Sequence, residues 1–189
     1  MSKLKYALLW AIILLLLGSA THSCAQMMFS NRTAASGYPE LLTNGGFETG
    51  DETGWSWYTD GSISRYVSGT DPHGGTNTWV ADVTTTGTNS QLLQTGFPLM
   101  EAANYRLIFW AKASITGTLG IAIIENDDDH STYGFVTTRS LSTSWTQYTI
   151  DFTADCVSTV TDTRLRFYLD AGSWDGESLK LDDISLKRQ

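Results

Sequence analysis

Positive charge is scarce in this chain of 189 residues: 12 lysines and arginines stand against 20 aspartates and glutamates, a formal net charge of −8. A nucleic-acid partner needs a basic face for its phosphates, so none is expected. Charge of either sign is thin, at 17 % of residues against about 25 % in an average soluble domain. Proline occurs three times and cysteine twice, as Cys24 and Cys156. Two distant cysteines build no disulfide framework and supply no thiolate metal site. Nucleophile elbow, phosphate-binding loop, paired-cysteine motif and metalloprotease helix are all missing. His22, His73 and His130 share no local motif with a serine or cysteine, so a hydrolytic triad has no support. Aromatics are plentiful: seven Trp, eight Tyr and seven Phe provide ample surface to bury and argue against disorder. The length fits one domain.

The first 25 residues read as an export signal. Lys3 and Lys5 precede the apolar run Ala7–Leu17, and small residues follow in Gly18-Ser19-Ala20 and Ser23-Cys24-Ala25, two alternative cleavage sites. The run is short for a membrane span. Cleavage after Ala25 removes two lysines and no acid, taking the net charge from −8 to −10. The expected localisation is therefore secreted, through a bacterial-type signal. A lipid anchor on Cys24 is the alternative, although Thr21-His22-Ser23 lacks the aliphatic residue such a signal carries. A Cys24–Cys156 disulfide requires cleavage after Ala20; otherwise Cys156 is a lone thiol without basic neighbours to activate it.

Residues 26–40 are small, polar and aperiodic and read as a tether, with the domain proper over 41–188. There the period of two dominates. Tyr105, Leu107, Phe109 and Ala111 alternate with polar or outward residues, as do Tyr148, Ile150 and Phe152, and Leu165, Phe167 and Leu169. Shorter runs at 62–68, 79–84, 92–95, 118–124 and 179–186 are separated by turn signals such as Asn44-Gly45-Gly46, His73-Gly74-Gly75 and Asp175-Gly176. No amphipathic helix of ten residues is apparent. The pattern predicts an all-β, two-sheet β-sandwich of jelly-roll type.

Among the aromatics, Trp55, Trp79, Phe109, Trp110 and Trp145 read as core. Tyr58, Tyr133 and Tyr168 have polar neighbours and suit a sugar, whose C–H face stacks on a ring while its hydroxyls bond to Arg, Asn and Gln. The run Asn126-Asp127-Asp128-Asp129 lacks the glycine and distal glutamate of a calcium loop and reads as a solvated hairpin tip.

Four segments in order carry a family resemblance. Leu42-Thr43-Asn44-Gly45-Gly46-Phe47-Glu48 with Gly54-Trp55, the strand Tyr105–Ala113, Ser144–Phe152, and Leu179–Leu186 with its Asp182-Asp183 pair together resemble carbohydrate-binding modules of families 4 and 9. Those modules are appendages of secreted cellulases and xylanases. The resemblance implies a non-catalytic jelly roll that holds a polysaccharide chain in a concave aromatic and polar groove. Carried over by position, the groove would use Trp57, Tyr58, Gln91, Thr95, Asn126, Tyr133, Arg164, Arg166 and Tyr168. It also implies a structural Ca2+ held by Asp182, the backbone carbonyl of Gly46 and one from Gly75 or Thr76, with Glu48 as an additional carboxylate. Where some members carry a disulfide, this chain has Trp79 and Lys180. The arginines in the groove leave room for a charged glycan. Two other readings stay open: a small polysaccharide lyase or glycosidase using Arg164 or Arg166 with Tyr168, and a surface protein-interaction module.

Overall fold

A computed structural model describes residues 37–169 and 174–189. The expected export signal, Cys24 and most of the tether lie outside them. The described residues form ten strands and no helix: β1 (Ser56–Thr59), β2 (Ser62–Ser68), β3 (Thr78–Thr85), β4 (Ser90–Thr95), β5 (Asn104–Ala113), β6 (Thr118–Glu125), β7 (Thr132–Ser140), β8 (Thr146–Thr153), β9 (Thr163–Leu169) and β10 (Ser178–Arg188). They pair into two five-stranded antiparallel sheets, in the orders β1-β4-β9-β6-β7 and β2-β3-β10-β5-β8. This is the β-sandwich of jelly-roll type that the alternation predicts. No helix among the described residues is long and apolar enough to cross a membrane.

Alternation builds the core, because successive side chains of a strand leave on opposite sides. In β9, Thr163, Leu165, Phe167 and Leu169 are buried, and Arg164, Arg166 and Tyr168 between them are partly exposed. In β5, Tyr105, Leu107, Phe109, Ala111 and Ala113 face inward. The sheets meet where Phe109 sets its ring edge-on to Phe167 at 5.1 Å, and Trp55 bridges Phe47 and Phe167 at 5.7 and 6.4 Å. Truncating either central phenylalanine to alanine would cost about 3–5 kcal/mol. The Asn44-Gly45-Gly46 turn docks on β10: the Gly45 carbonyl accepts from Ile184 N–H at 2.9 Å, and a side chain at Gly45 would run into the Ile184 carbonyl. That contact explains the glycine.

Some boundaries and core assignments differ from expectation. Glu40, at the end of the expected tether, accepts from the N–H groups of Leu41, Leu42 and Leu186 and from the Ser185 hydroxyl, and Tyr38 lies under the Arg188 guanidinium at 4.8 Å. The domain thus takes in residues from Tyr38 onward. Trp110 and Trp145 are not core. Trp110 stands on the outward side of β5, stacked on His73 at 3.5 Å, with Trp145 edge-on to the same imidazole at 5.9 Å. The loop carrying His73 folds over that face and half-covers both indoles. Cys156 is buried with no partner cysteine among the described residues, and burial raises the pKa of its thiol. The 126–129 run forms the exposed tip between β6 and β7, as the sequence implies.

Candidate functional site

Strand register assembles one face. On the outward side of β9 stand Arg164, Arg166 and Tyr168. Their partners on β4 are Thr95, Leu93 and Gln91, and Ser56 and Tyr58 of β1 continue the rows opposite Leu93 and Gln91. On the other flank, Ile124, Ala122 and Gly120 of β6 oppose the same three β9 residues, with Val136 and Thr138 of β7 beyond. Directly opposed residues of an antiparallel pair share a side of the sheet. The face therefore has a fixed layout: an apolar floor of Leu93, Ala122 and Ile124, an exposed ring at Tyr58, and amide, guanidinium and phenol groups down the middle. Ala122 and Ile124 are buried yet stand apart from the inter-sheet core, which is consistent with long neighbours covering them.

Gly120 is where the face is tightest. Any side chain there would collide with the Tyr168 ring, so the phenol lies across the β6 backbone. The Arg166 guanidinium sits over that ring, 5.0 Å from its centre. Arg164 is tied down otherwise, donating through Nε to Asn126 Oδ1 and through Nη2 to the Asn126 carbonyl, each at 3.0 Å. Arg166 has no such tether: its Nε is shielded from water and unbonded, and burial pulls its pKa below the ordinary value. Gln91 is 5 % exposed and donates to Asn89 Oδ1 at 2.8 Å, while its Oε1 has no partner. Buried polar groups are ordinarily satisfied, and two on one face are left open. The other two unpaired groups among the described residues are the Nε1 atoms of Trp57 and Trp145.

The remaining expected groove residues divide. Tyr58 is 51 % exposed and Thr95 is exposed, both on this face. Trp57 is not: as the neighbour of Tyr58 it leaves β1 on the opposite side, opposes Leu92, and packs on Trp79 with ring centres 5.4 Å apart. Tyr133 lies at one end of the sheet, its ring packed against the core. Its hydroxyl is within bonding distance of Asp162 Oδ2 at 3.1 Å and Glu125 Oε1 at 3.4 Å. Burial, with Asp162 next in effect, pushes its pKa up to about 12. Asn126 serves Arg164 rather than standing free. The reading from sequence missed Leu93, Gly120, Ala122, Ile124, Val136 and Thr138. A glycine inside a strand hints at close approach, but only register shows what approaches.

The expected metal ligands also converge, at the junction of the first loop, the 73–77 loop and β10. Asp182 is fully buried. Its Oδ2 accepts from His73 N–H at 2.9 Å and Gly74 N–H at 3.4 Å, and its Oδ1 from Asp183 N–H at 2.8 Å. Burial nevertheless outweighs these bonds and raises its pKa to about 6. Glu48 accepts from Thr76 and Asn77 N–H groups and the Thr76 hydroxyl, which hold its carboxyl below the usual range. Gly46 lies beside Glu48, Asp182 and Asp183. Asp183 occupies the bulge of β10 with φ +47° and pairs with His73 Nδ1 at 2.8 Å. Among the described residues, no three acidic, histidine or cysteine side chains are close enough to cage a metal by themselves.

Comparison with known proteins follows the same lines. The model of a family described as a carbohydrate-binding domain, CBM_4_9, matches residues 39–177. No curated protein sequence matches the chain. The N-terminal cellulose-binding domain of Cellulomonas fimi β-1,4-glucanase C is 23 % identical with a TM-score of 0.57, over 78 % of this chain and 97 % of that one. The CBM22-1 xylan-binding domain of Paenibacillus barcinonensis Xyn10C is 16 % identical with a TM-score of 0.56, over 82 % and 97 %. TmCBM61, solved with β-1,4-galactotriose, is 17 % identical with a TM-score of 0.55, over 80 % and 99 %. At these identities the likeness is one of fold.

Proposed function

Because the chain belongs to the CBM_4_9 family of carbohydrate-binding domains, we propose that it is a secreted, non-catalytic module that holds a polysaccharide chain across the outward face of the β1-β4-β9-β6-β7 sheet. The observation that carries this reading is the row Tyr58–Gln91–Tyr168, in register on three neighbouring strands, with Arg166 in the next row and Thr95 in the one after it. Tyr58 offers a ring for the C–H face of a pyranose, and Gln91, Arg166 and Thr95 offer bonds to its hydroxyls. One ring stack of about 0.5–1.5 kcal/mol plus a few hydrogen bonds of about 1 kcal/mol each support an affinity in the millimolar to sub-millimolar range. Cellulose-, xylan- and galactotriose-binding relatives of the same fold make a β-linked chain the first ligand to try. The signal-like first 25 residues support export.

The test is affinity electrophoresis of the domain through gels of β-glucan, xylan, mannan and acidic polysaccharides, each mixture then assayed for new reducing ends and unsaturated products. Retardation without product supports the binding module. Product formation would replace it with the lyase or glycosidase reading, and no retardation on any gel would favour a protein partner.

We also propose a structural calcium at the Asp182 junction. The residues fit in kind: Asp182 is buried with no lysine or arginine paired to it among the described residues, Glu48 and Asp183 stand close by, and carboxylates with backbone carbonyls suit a hard cation. The ligands would be Asp182, Glu48, the Gly46 carbonyl and a backbone carbonyl of Gly75 or Thr76. A bound calcium supplies charge that offsets the burial of Asp182 and clips the opening loop to β10.

A further inference from the structure

Building on the glycan-binding reading, we infer that the groove selects acidic glycans, and that Arg166 is the seat of their anionic group, a uronic carboxylate or a sulfate. The domain has many more carboxylates than cations and uses them readily: Arg65 pairs with Glu52, Arg106 with Asp151, Lys112 and Lys180 with Asp71. Arg166 is in no ion pair among the described residues. Arg139, Arg164 and Arg188 are outside ion pairs too, but each bonds to a neighbour, whereas Arg166 bonds to none of the described residues although it lies at the centre of the sheet with its Nε cut off from water. A half-buried guanidinium without a counter-charge is unfavourable. Its neighbours are chosen without negative charge: Leu93 and Ala122 oppose it, Gln91 and Thr95 lie diagonally, and Arg164 adds a second positive group two residues away.

The geometry also orients it. Gly120 lets the Tyr168 ring lie down, and the ring carries the guanidinium at 5.0 Å. A planar fork steadied on an aromatic face is matched to a two-oxygen acceptor such as a carboxylate or sulfate. The apolar floor beneath lowers the local dielectric and strengthens the pairing. The unpartnered Gln91 Oε1 accepts from a hydroxyl of the adjoining sugar. The acids of this sheet gather instead at its far end, where Glu125 and Asp162 hold the Tyr133 hydroxyl. The groove thus has a cationic middle and an acidic end, and an acidic unit is drawn to the middle.

The experiment uses probes matched except at the charged group: β-linked oligomannuronates against their methyl esters, and sulfated galactan oligosaccharides against the desulfated forms, with neutral gluco- and xylo-oligosaccharides alongside. Calorimetry without added calcium keeps the uronates from cross-linking. The charged form of one pair is expected to bind roughly 10- to 100-fold tighter than its neutral form, and the pair that shows it identifies carboxylate or sulfate. Arg166→Gln, which keeps an amide donor but no charge, should erase that preference, and Arg166→Lys should retain part of it. Equal binding of charged and neutral forms, or a preference surviving in Arg166→Gln, overturns the inference. Binding confined to neutral glucans or xylans overturns it while leaving the binding module intact, and binding to no glycan removes both. Melting of each variant checks folding.

Discussion

On the outward face of the β2-β3-β10-β5-β8 sheet, charges are neutralised where they stand. Arg106 grips Asp151 with two bonds of 2.6 and 2.9 Å, Lys112 and Lys180 share Asp71 at 2.8 and 3.2 Å, and the Tyr66 hydroxyl donates to Asp82 at 2.9 Å. The loop bearing His73 covers part of what is left. On the outward face of the other sheet, Arg166 and the Gln91 carbonyl are left open beside an exposed Tyr58. One chain with the same surplus of acids has made both surfaces, so the difference is a matter of placement rather than supply. Open polar groups on an ordered face cost stability, and a face that keeps them reads as one that meets a ligand.

Asp182 is an exception on the neutralised side, and of the replacements on the two faces its own should have the largest effect. Asp182→Ala would strand the His73, Gly74 and Asp183 N–H groups beneath the loop and lower stability by about 3 kcal/mol. Denaturant unfolding checks this, and any rise in melting temperature with calcium should vanish in the variant. The same carboxyl gives a pH signature in chelator-treated protein. Its folded pKa of about 6 lies above its ordinary 3.8, so the folded state holds the proton more tightly. Its contribution is full below about pH 4 and is lost as pH rises through 6, a fall of about 3 kcal/mol. Unfolding curves from pH 4 to 7 should show that fall in the wild type and a flatter line in Asp182→Asn.

On the open face, Tyr58→Ala should weaken glycan binding by about 1 kcal/mol, roughly fivefold, with no change in melting temperature. Calorimetry against the retained polysaccharide checks it, and unaltered affinity would remove Tyr58 from the site. The smallest effect belongs to the paired face. Arg106→Gln should leave both denaturant unfolding and glycan calorimetry almost unchanged, since exposed ion pairs contribute little.

Much of this was legible in the sequence because burial writes a period of two. The alternation of β5, β8 and β9 shows which residues face inward, and so places Arg164, Arg166 and Tyr168 together on the other side. β7 was harder: it is an edge strand whose Gly134, Thr137 and Thr138 break the apolar series, and whose Val136 is 55 % exposed. Trp57 and Tyr58 could not both face the groove, since neighbours in a strand part company, yet which one did depended on the register with β4. The indoles of Trp110 and Trp145 look like core in sequence because nothing local reveals that a loop some 35 residues upstream of Trp110 will half-cover them. Gly120 likewise acquires meaning only when Tyr168 is brought across it.

The central claim is that a glycan rests on the open face, and mapping amide NMR shifts during titration with the retained oligosaccharide tests it most directly. The account expects the changes to gather on Ser56–Thr59, Ser90–Thr95, Gly120–Ile124 and Arg164–Tyr168, with β10, β5 and β8 quiet. Changes centred instead on the other sheet, around Trp110, Trp145 and Lys180, would contradict it.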